Sequence, residues 1–290
     1  MRRLIAAVGA GSAAAAMTAC SAVANPFSIQ KAYADTVSAR TARVSFTVAV
    51  NQAGSKAGSP MSFGGTGVMN LDGRAMDLNA QLPGGLGTIR IEMLGTTLYM
   101  DASGIKRFAG GQGGLPAGKS WIKMDLARLL GPGAMSAAGS ATANDPGDLL
   151  AQLKAASVSG VQNLGTADVD GAQTTHYRMT VDIAKAAAKM AAAPDATPLT
   201  KATAAREAHM APAPVDLWVD GHNLIHRFRM TMHPSSTTTM TETMTLSDFG
   251  VPVSIQPPPA AATVDATSLP GFNQGLQSQS AAGAGSATSG

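Results

Sequence analysis

Apolar and polar residues alternate along much of the chain. Val44, Phe46, Val48 and Val50 are apolar, and Ser45, Thr47 and Ala49 between them are small or polar. A period of two sets one face of an extended strand against a core and the other toward water. The alternation returns at Met76, Leu78, Ala80 and Leu82, at Ile89, Ile91 and Met93, and at Leu98 and Met100. Met69 and Leu71 lead into Asp72-Gly73, a dipeptide that suits a hairpin turn between alternating runs. Further strands are expected over 121–124, 174–181, 215–219, 224–232 and 237–246, with turns at 167–171 and at Asp220-Gly221. Helical spacing is rarer. It predicts helices over 29–39, over 145–153 with Asp145-Pro146 at the start, over 183–193 before Pro194, and over 200–210. The glycine-rich stretch 104–118 has no Gly-Lys-Ser/Thr ending and no strand-to-helix setting, so it is expected to be a loop and not a phosphate cradle. The expected class is α+β, one antiparallel sheet of about nine strands with a few helices. Periodicity alone leaves open a closed barrel or a half-barrel whose open face the helices cover.

The two ends differ from this pattern. Arg2 and Arg3 precede an uncharged apolar run over 4–16, which is shorter than the ~20 residues of a membrane-spanning helix. Met17-Thr18-Ala19-Cys20 follows. This is similar to a bacterial lipobox, with Met17 where Leu is usual, and it implies a diacylglycerol thioether on Cys20. Cys20 is the single cysteine, so it has no disulfide partner within the chain. The expected organisation is a lipoprotein signal over 1–19, a lipidated tether over 20–26 and one folded domain over 27–256. The last segment, 257–290, opens on three prolines and is then rich in Ala, Ser and Gly, which predicts disorder. The protein is then expected on the outer face of the cell membrane, held there by acyl chains that each contribute roughly 0.8 kcal/mol per buried CH2.

Charge narrows the partners. The chain has 21 Lys+Arg and 18 Asp+Glu, and without Arg2 and Arg3 the balance is 19 against 18. With no dense basic run and no set of stacking aromatics, nucleic acid is not an expected partner. Catalytic patterns are also lacking. The mature region has no Gly-x-Ser-x-Gly, and its three glutamates, Glu92, Glu207 and Glu242, fall in separate elements. His222 and His226 are four apart, but a turn and a strand separate them and no Glu lies between, so no metal site is expected. Methionine is more suggestive: 16 occur, many in the apolar phase of strands. Its flexible, polarizable side chain fills cores and also suits surfaces that adapt to varied apolar ligands.

The order Leu98-Tyr99-Met100, then 121–126 from Trp121 to Leu126, then Asp145-Pro146 with Leu149, Leu150, Leu153 and Lys154 carries a resemblance. So do Val169-Asp170-Gly171 before Thr174-Thr175-His176-Tyr177, the run 215–220, and Leu246-Ser247-Asp248-Phe249-Gly250. Together, over 29–257, they resemble the LppX/LprG-type lipoproteins of actinobacteria, which are similar to the LolA-like superfamily. The resemblance implies a curved antiparallel half-barrel with helices on its concave side and an apolar cavity between them. It implies binding of an acylated lipid or lipoglycan, a role in moving it across the envelope, and no cofactor or catalytic residue. The Ala-rich stretch 184–213 is where this chain departs from the family. The expected lining of the cavity is Phe46, Val48, Met76, Leu78, Ile91, Met93, Leu98 and Met100, with space for two or more acyl chains. The rival expectation is a non-enzymatic structural, interaction or regulatory lipoprotein with a filled core, engaging an envelope transporter or a sensor.

Overall fold

The computed structural model describes residues 27–54, 61–71, 75–82, 87–104, 115–126, 159–192, 201, 204–205 and 208–269. Cys20, the signal and the tether, the helix expected over 145–153, and 270–290 lie outside the described residues. The described strands are β1 (Thr41–Gln52), β2 (Met61–Asn70), β3 (Ala75–Leu82), β4 (Gly87–Leu94), β5 (Thr97–Asp101) and β6 (Trp121–Asp125), followed by β7 (Ser159–Val169), β8 (Ala172–Val181), β9 (Ala213–Asp220), β10 (Ile225–Ser235), β11 (Thr238–Ser247) and β12 (Thr263–Asp265). They form one sheet in the order β12-β6-β5-β4-β3-β2-β1-β11-β10-β9-β8-β7. All pairs are antiparallel except β12 with β6. The sheet is open, with β12 and β7 at its edges, so the half-barrel is realised and the closed barrel is not.

The strand register shows which face is the core. One row runs Tyr177, Leu217, Phe228, Met244, Phe46, Gly65, Ala80 and Ile89, each the direct neighbour of the next across eight strands. No member carries a charge. The residues one step along each strand face the other way, among them Asp216, Thr47, Asn79 and Arg90. Alternation along the strand has thus become two faces of one sheet.

Helix α1 (Ile29–Ser38) agrees with the expected 29–39. Ser28 caps it, its hydroxyl accepting from the Lys31 N–H at 3.2 Å, a favourable start for a helix. Thr36 ties it to the sheet: its hydroxyl donates to the Ala32 carbonyl at 2.6 Å and accepts from the Ile225 N–H at 2.9 Å. The Asn223 amide also donates to Asp35 at 3.0 Å, and the Phe27 ring stacks on Tyr177 with centroids 3.7 Å apart. Ala32, Leu71, Met69, Met179, Val215, Leu217 and Leu246 pack into the core beside it. Helix α2 (Ile183–Ala191) starts at Asp182, whose carboxylate accepts from the Lys185 N–H at 3.0 Å; it buries Ala187 and packs Ala186 against the same core. The helix expected over 200–210 is described only in part, with a helical bond from the Ala208 N–H to the Ala204 carbonyl at 2.9 Å.

Three findings differ from the sequence expectation. Strand β2 has the sequence MSFGGTGVMN, in which Gly64, Gly65 and Gly67 break the alternation that marks the other strands. Strand β7 is almost wholly exposed along an edge, so it has no apolar phase to read. It joins β8 through Asp170 and Gly171, at φ 52° and 86°, the left-handed pair that a tight hairpin requires. The third is a correction. The expected disordered tail starts too early, because the chain is ordered through residue 269. There Thr263, Val264 and Asp265 pair with Trp121, Ile122 and Lys123. The Lys119 ammonium donates to the Ala261 carbonyl at 2.8 Å, and Ala266 is buried. Composition averaged over a Pro- and Ala-rich stretch conceals a three-residue edge strand that completes a sheet.

Candidate functional site

The concave face is filled unequally. Toward α1 it is solid. Over β1 to β5 and β11 it leaves a cavity of about 470 Å³. Gly65 and Gly67 of β2 add no side chain to the concave face, and the Phe46 ring and the Leu78 side chain lie over them. A Cβ on Gly65 would run into the Phe46 ring and the Asn79 carbonyl, so glycine lets that ring lie close on the backbone of β2. A methylene needs about the ~30 Å³ that a water occupies, so the cavity has room for roughly 15 methylenes. That is the scale of an acyl chain.

Seven of the eight residues expected to line a cavity line this one: Phe46, Val48, Met76, Leu78, Ile91, Met93 and Leu98. Met100 does not. It has the right phase, opposite Ile91 and Ile122, but it packs in a second cluster with Ala80, Ile89, Ala102, Ile122 and Ala266. That cluster forms under the segment assigned to the tail, which is why Met100 is covered.

Sequence reasoning missed Phe63, Leu126, Met240 and Glu242, which also line the cavity. Glu242 is the unexpected member. It stands opposite Val48 of β1 and Met230 of β10, and Met240 and Met244 are its neighbours along the same face of β11. Burial in this apolar wall pushes its carboxyl up from 4.5 to about 7. Among the described residues, none pairs with that carboxyl. The signal was present in the sequence: in Met240-Thr241-Glu242-Thr243-Met244, Glu242 holds the apolar phase.

The convex face has polar clusters of a different kind. Asp216, 6% exposed, accepts from His176 at 2.7 Å, from Arg178 at 2.9 Å and from Arg229 at 3.1 Å. Burial alone would raise its carboxyl, but the bonds from Arg178, His176 and Arg229 outweigh that and hold it below the ordinary value. The Trp218 ring stacks on His176, with centroids 4.2 Å apart, and meets the Arg227 and Arg229 guanidinium groups at 5.7 and 5.3 Å. His176, Arg178 and Arg229 all converge on Asp216 from neighbouring strands, which makes the cluster a brace across β8, β9 and β10. His226 bonds Asp220 at 3.1 Å, and Asp220 also accepts from the His222 and Leu224 N–H groups at 2.8 Å, fixing the β9–β10 turn. Among the described residues, no three His, Cys, Asp or Glu side chains converge on a point where a metal ion would sit. No helix among them is long and apolar enough to cross a membrane.

Fold and site together define an open antiparallel half-barrel with an apolar cavity on its concave face. Two solved structures are similar to it. One is the lipoprotein LppX of Mycobacterium tuberculosis, at 15% identity and a TM-score of 0.43, over 79% of this chain and 100% of that one. The other is LprF from Mycobacterium bovis, at 15% identity and a TM-score of 0.38, over 79% of this chain and 96% of that one. Neither likeness assigns a ligand to this chain. No protein-family model and no curated protein matches the sequence.

Proposed function

We propose that this protein is a lipid-anchored envelope protein that holds an acyl chain of a lipid in the cavity of its half-barrel. The observation that carries this reading is the cavity itself. It is of ligand size, at about 470 Å³, and Phe46, Val48, Leu78, Ile91, Met93 and Leu98 make its wall apolar. Burying a chain there gains roughly 25 cal/mol for each Å² of apolar area removed from water. A charged headgroup would stay outside this wall. The lipobox-like Met17-Thr18-Ala19-Cys20 supports an acyl anchor on Cys20, so that the domain works beside the membrane from which its ligand comes. Trafficking of an acylated lipid or lipoglycan across the envelope is the role that fits these features, and the protein is not an enzyme in this reading. The rival, an interaction lipoprotein with a filled core, does not account for an apolar hollow across six strands.

The test is native mass spectrometry of residues 21–290, purified from an actinobacterial host without the anchor. Extra mass that passes into organic solvent and matches an acylated lipid is the expected result. A bare protein mass, and no uptake on incubation with extracted membrane lipid, would sink the carrier reading and favour the interaction protein.

A further inference from the structure

Glu242 stands alone in chemical character in the cavity wall. Apart from Gln81, every other lining residue is apolar, and Gln81 lies in the opposite phase of β3 from Ala80 and Leu82. The carboxyl sits at the β11 end of a hollow that reaches Leu98 of β5 at its other side. Its cross-strand and same-face neighbours, Val48, Met230, Met240 and Met244, offer no donor. An unpaired carboxyl facing an apolar cavity is costly, and a ligand that supplies the missing hydrogen bond removes that cost.

The chemistry of the wall selects the donor. Among the described residues no Lys or Arg lines the cavity, so a phosphate or carboxylate headgroup would meet Glu242 with no cation from this wall to hold it. An ammonium would give up its hydration for one counter-charge in an apolar wall. An alcohol gives up less and donates one bond. We propose that Glu242 is the polar anchor of the cavity and accepts a hydrogen bond from the free hydroxyl of a neutral acyl lipid such as a diacylglycerol. This rests on the lipid-holding reading above and adds to it a selectivity: neutral lipids with a free alcohol over equally apolar lipids without one. A site built to bond a hydroxyl discriminates against the analogue that lacks it, because the partly buried acceptor then goes without that bond.

The probes are dioleoylglycerol and its 3-O-methyl ether, which differ in one donor hydrogen. Binding is measured by titration at pH 8, where Glu242 acts as an acceptor, with delipidated protein and the variants Glu242→Gln and Glu242→Leu. The unaltered protein is expected to bind the alcohol about tenfold more tightly than the ether, the size of one hydrogen bond to a charged group. Glu242→Gln keeps an acceptor oxygen and most of that preference. Glu242→Leu binds both lipids alike. Thermal melts of both variants check that each is folded. Equal binding of the two lipids by the unaltered protein overturns the anchor while leaving the cavity reading in place. A preference that persists in Glu242→Leu does the same. Failure of both lipids to bind overturns the anchor and the cavity reading together. A long-chain amine that binds more tightly than the alcohol, and only when Glu242 is present, replaces the alcohol with a cation and overturns the proposed ligand class.

Discussion

The raised carboxyl of Glu242 makes stability depend on pH in a direction opposite to that of most acidic residues. In the folded chain its pKa stands at about 7 against an ordinary 4.5. The folded protein therefore holds a proton that the unfolded chain has released, over the window between those values. The contribution is full below about pH 4.5, where both states are protonated, and it is lost as pH rises through about 7. The difference between about 7 and 4.5, at about 1.4 kcal/mol for each tenfold change in proton affinity, gives an upper figure of about 3.5 kcal/mol. The carboxyl borders a cavity that water reaches, which reduces the expected effect to about 2 kcal/mol. No charged group flanks it on β1, β10 or its own strand face, so burial alone sets the shift.

The assay is urea unfolding of delipidated protein from pH 4.5 to 8, compared with Glu242→Leu. Delipidation matters because a bound ligand adds its own stabilisation. Leu removes the charge and keeps apolar contact with Val48 and Met230. The two proteins should be close in stability at pH 4.5. By pH 8 the variant should exceed the unaltered protein by about 2 kcal/mol, about 1 M in urea midpoint for an ordinary slope. Other groups that titrate in this range, Glu92 among them, are common to both proteins and cancel in the difference. A gap that stays constant across the whole range would refute the reasoning, since Glu242 would then be ionised at its ordinary pKa and not desolvated.

Other outcomes follow from the same structure. Val48→Trp puts an indole into the hollow, so lipid adducts in native spectra should fall sharply while the melting temperature changes little; retention of lipid at the original level would argue that the chain binds elsewhere. Asp216→Ala leaves Arg178 and Arg229 without their shared partner and should cost about 2 kcal/mol in urea unfolding, a figure discounted because both guanidinium groups are partly exposed. Because Asp216 is held below the ordinary value of 3.8, that stabilisation is present above about pH 4 and is lost as pH falls through its lower folded pKa, so the variant should lack this part of the acid limb. Gly65→Val forces a side chain against the Asn79 carbonyl, the Ala80 backbone and the Phe46 ring, and should lower stability by about 2 kcal/mol or more by the same measurement.

The cavity wall was largely legible because a period of two decides a face whatever the partner strand is. Phe46, Val48, Leu78 and Ile91 could be placed on one side before any pairing was known. What period cannot decide is depth along the sheet. Met100 shares the phase of Met93 and Leu98, yet the chain around Ala266 covers it. Glycine removed a second part of the signal. In β2 the stretch Gly64-Gly65-Thr66-Gly67 has no bulky side chain and gives no alternation to count, although its partners Phe46 and Ala80 need that smoothness. Glu242 was masked for another reason. In a threonine-rich strand one acidic residue looks like solvent-facing polarity, and only its phase with Met240, Met244 and Leu246 betrays the inward position.

The same apolar row that makes the core also makes the hollow, and the difference between them is side-chain volume. On β8 to β11 the row carries Tyr177, Leu217, Phe228 and Met244, with Phe27 stacked on Tyr177, and these side chains pack together in the core. On β2 and β3 it carries Gly65 and Ala80; the Phe46 ring lies over Gly65, and the hollow opens beside that ring, lined by Phe63, Leu78, Ile91 and Glu242. A protein that needed only stability would fill that side, since each buried methylene adds about 0.8 kcal/mol. Keeping it open therefore costs stability, and placing Glu242 in its wall costs more. Two such costs on one face are what a binding site requires, space first and then one polar group to orient what enters.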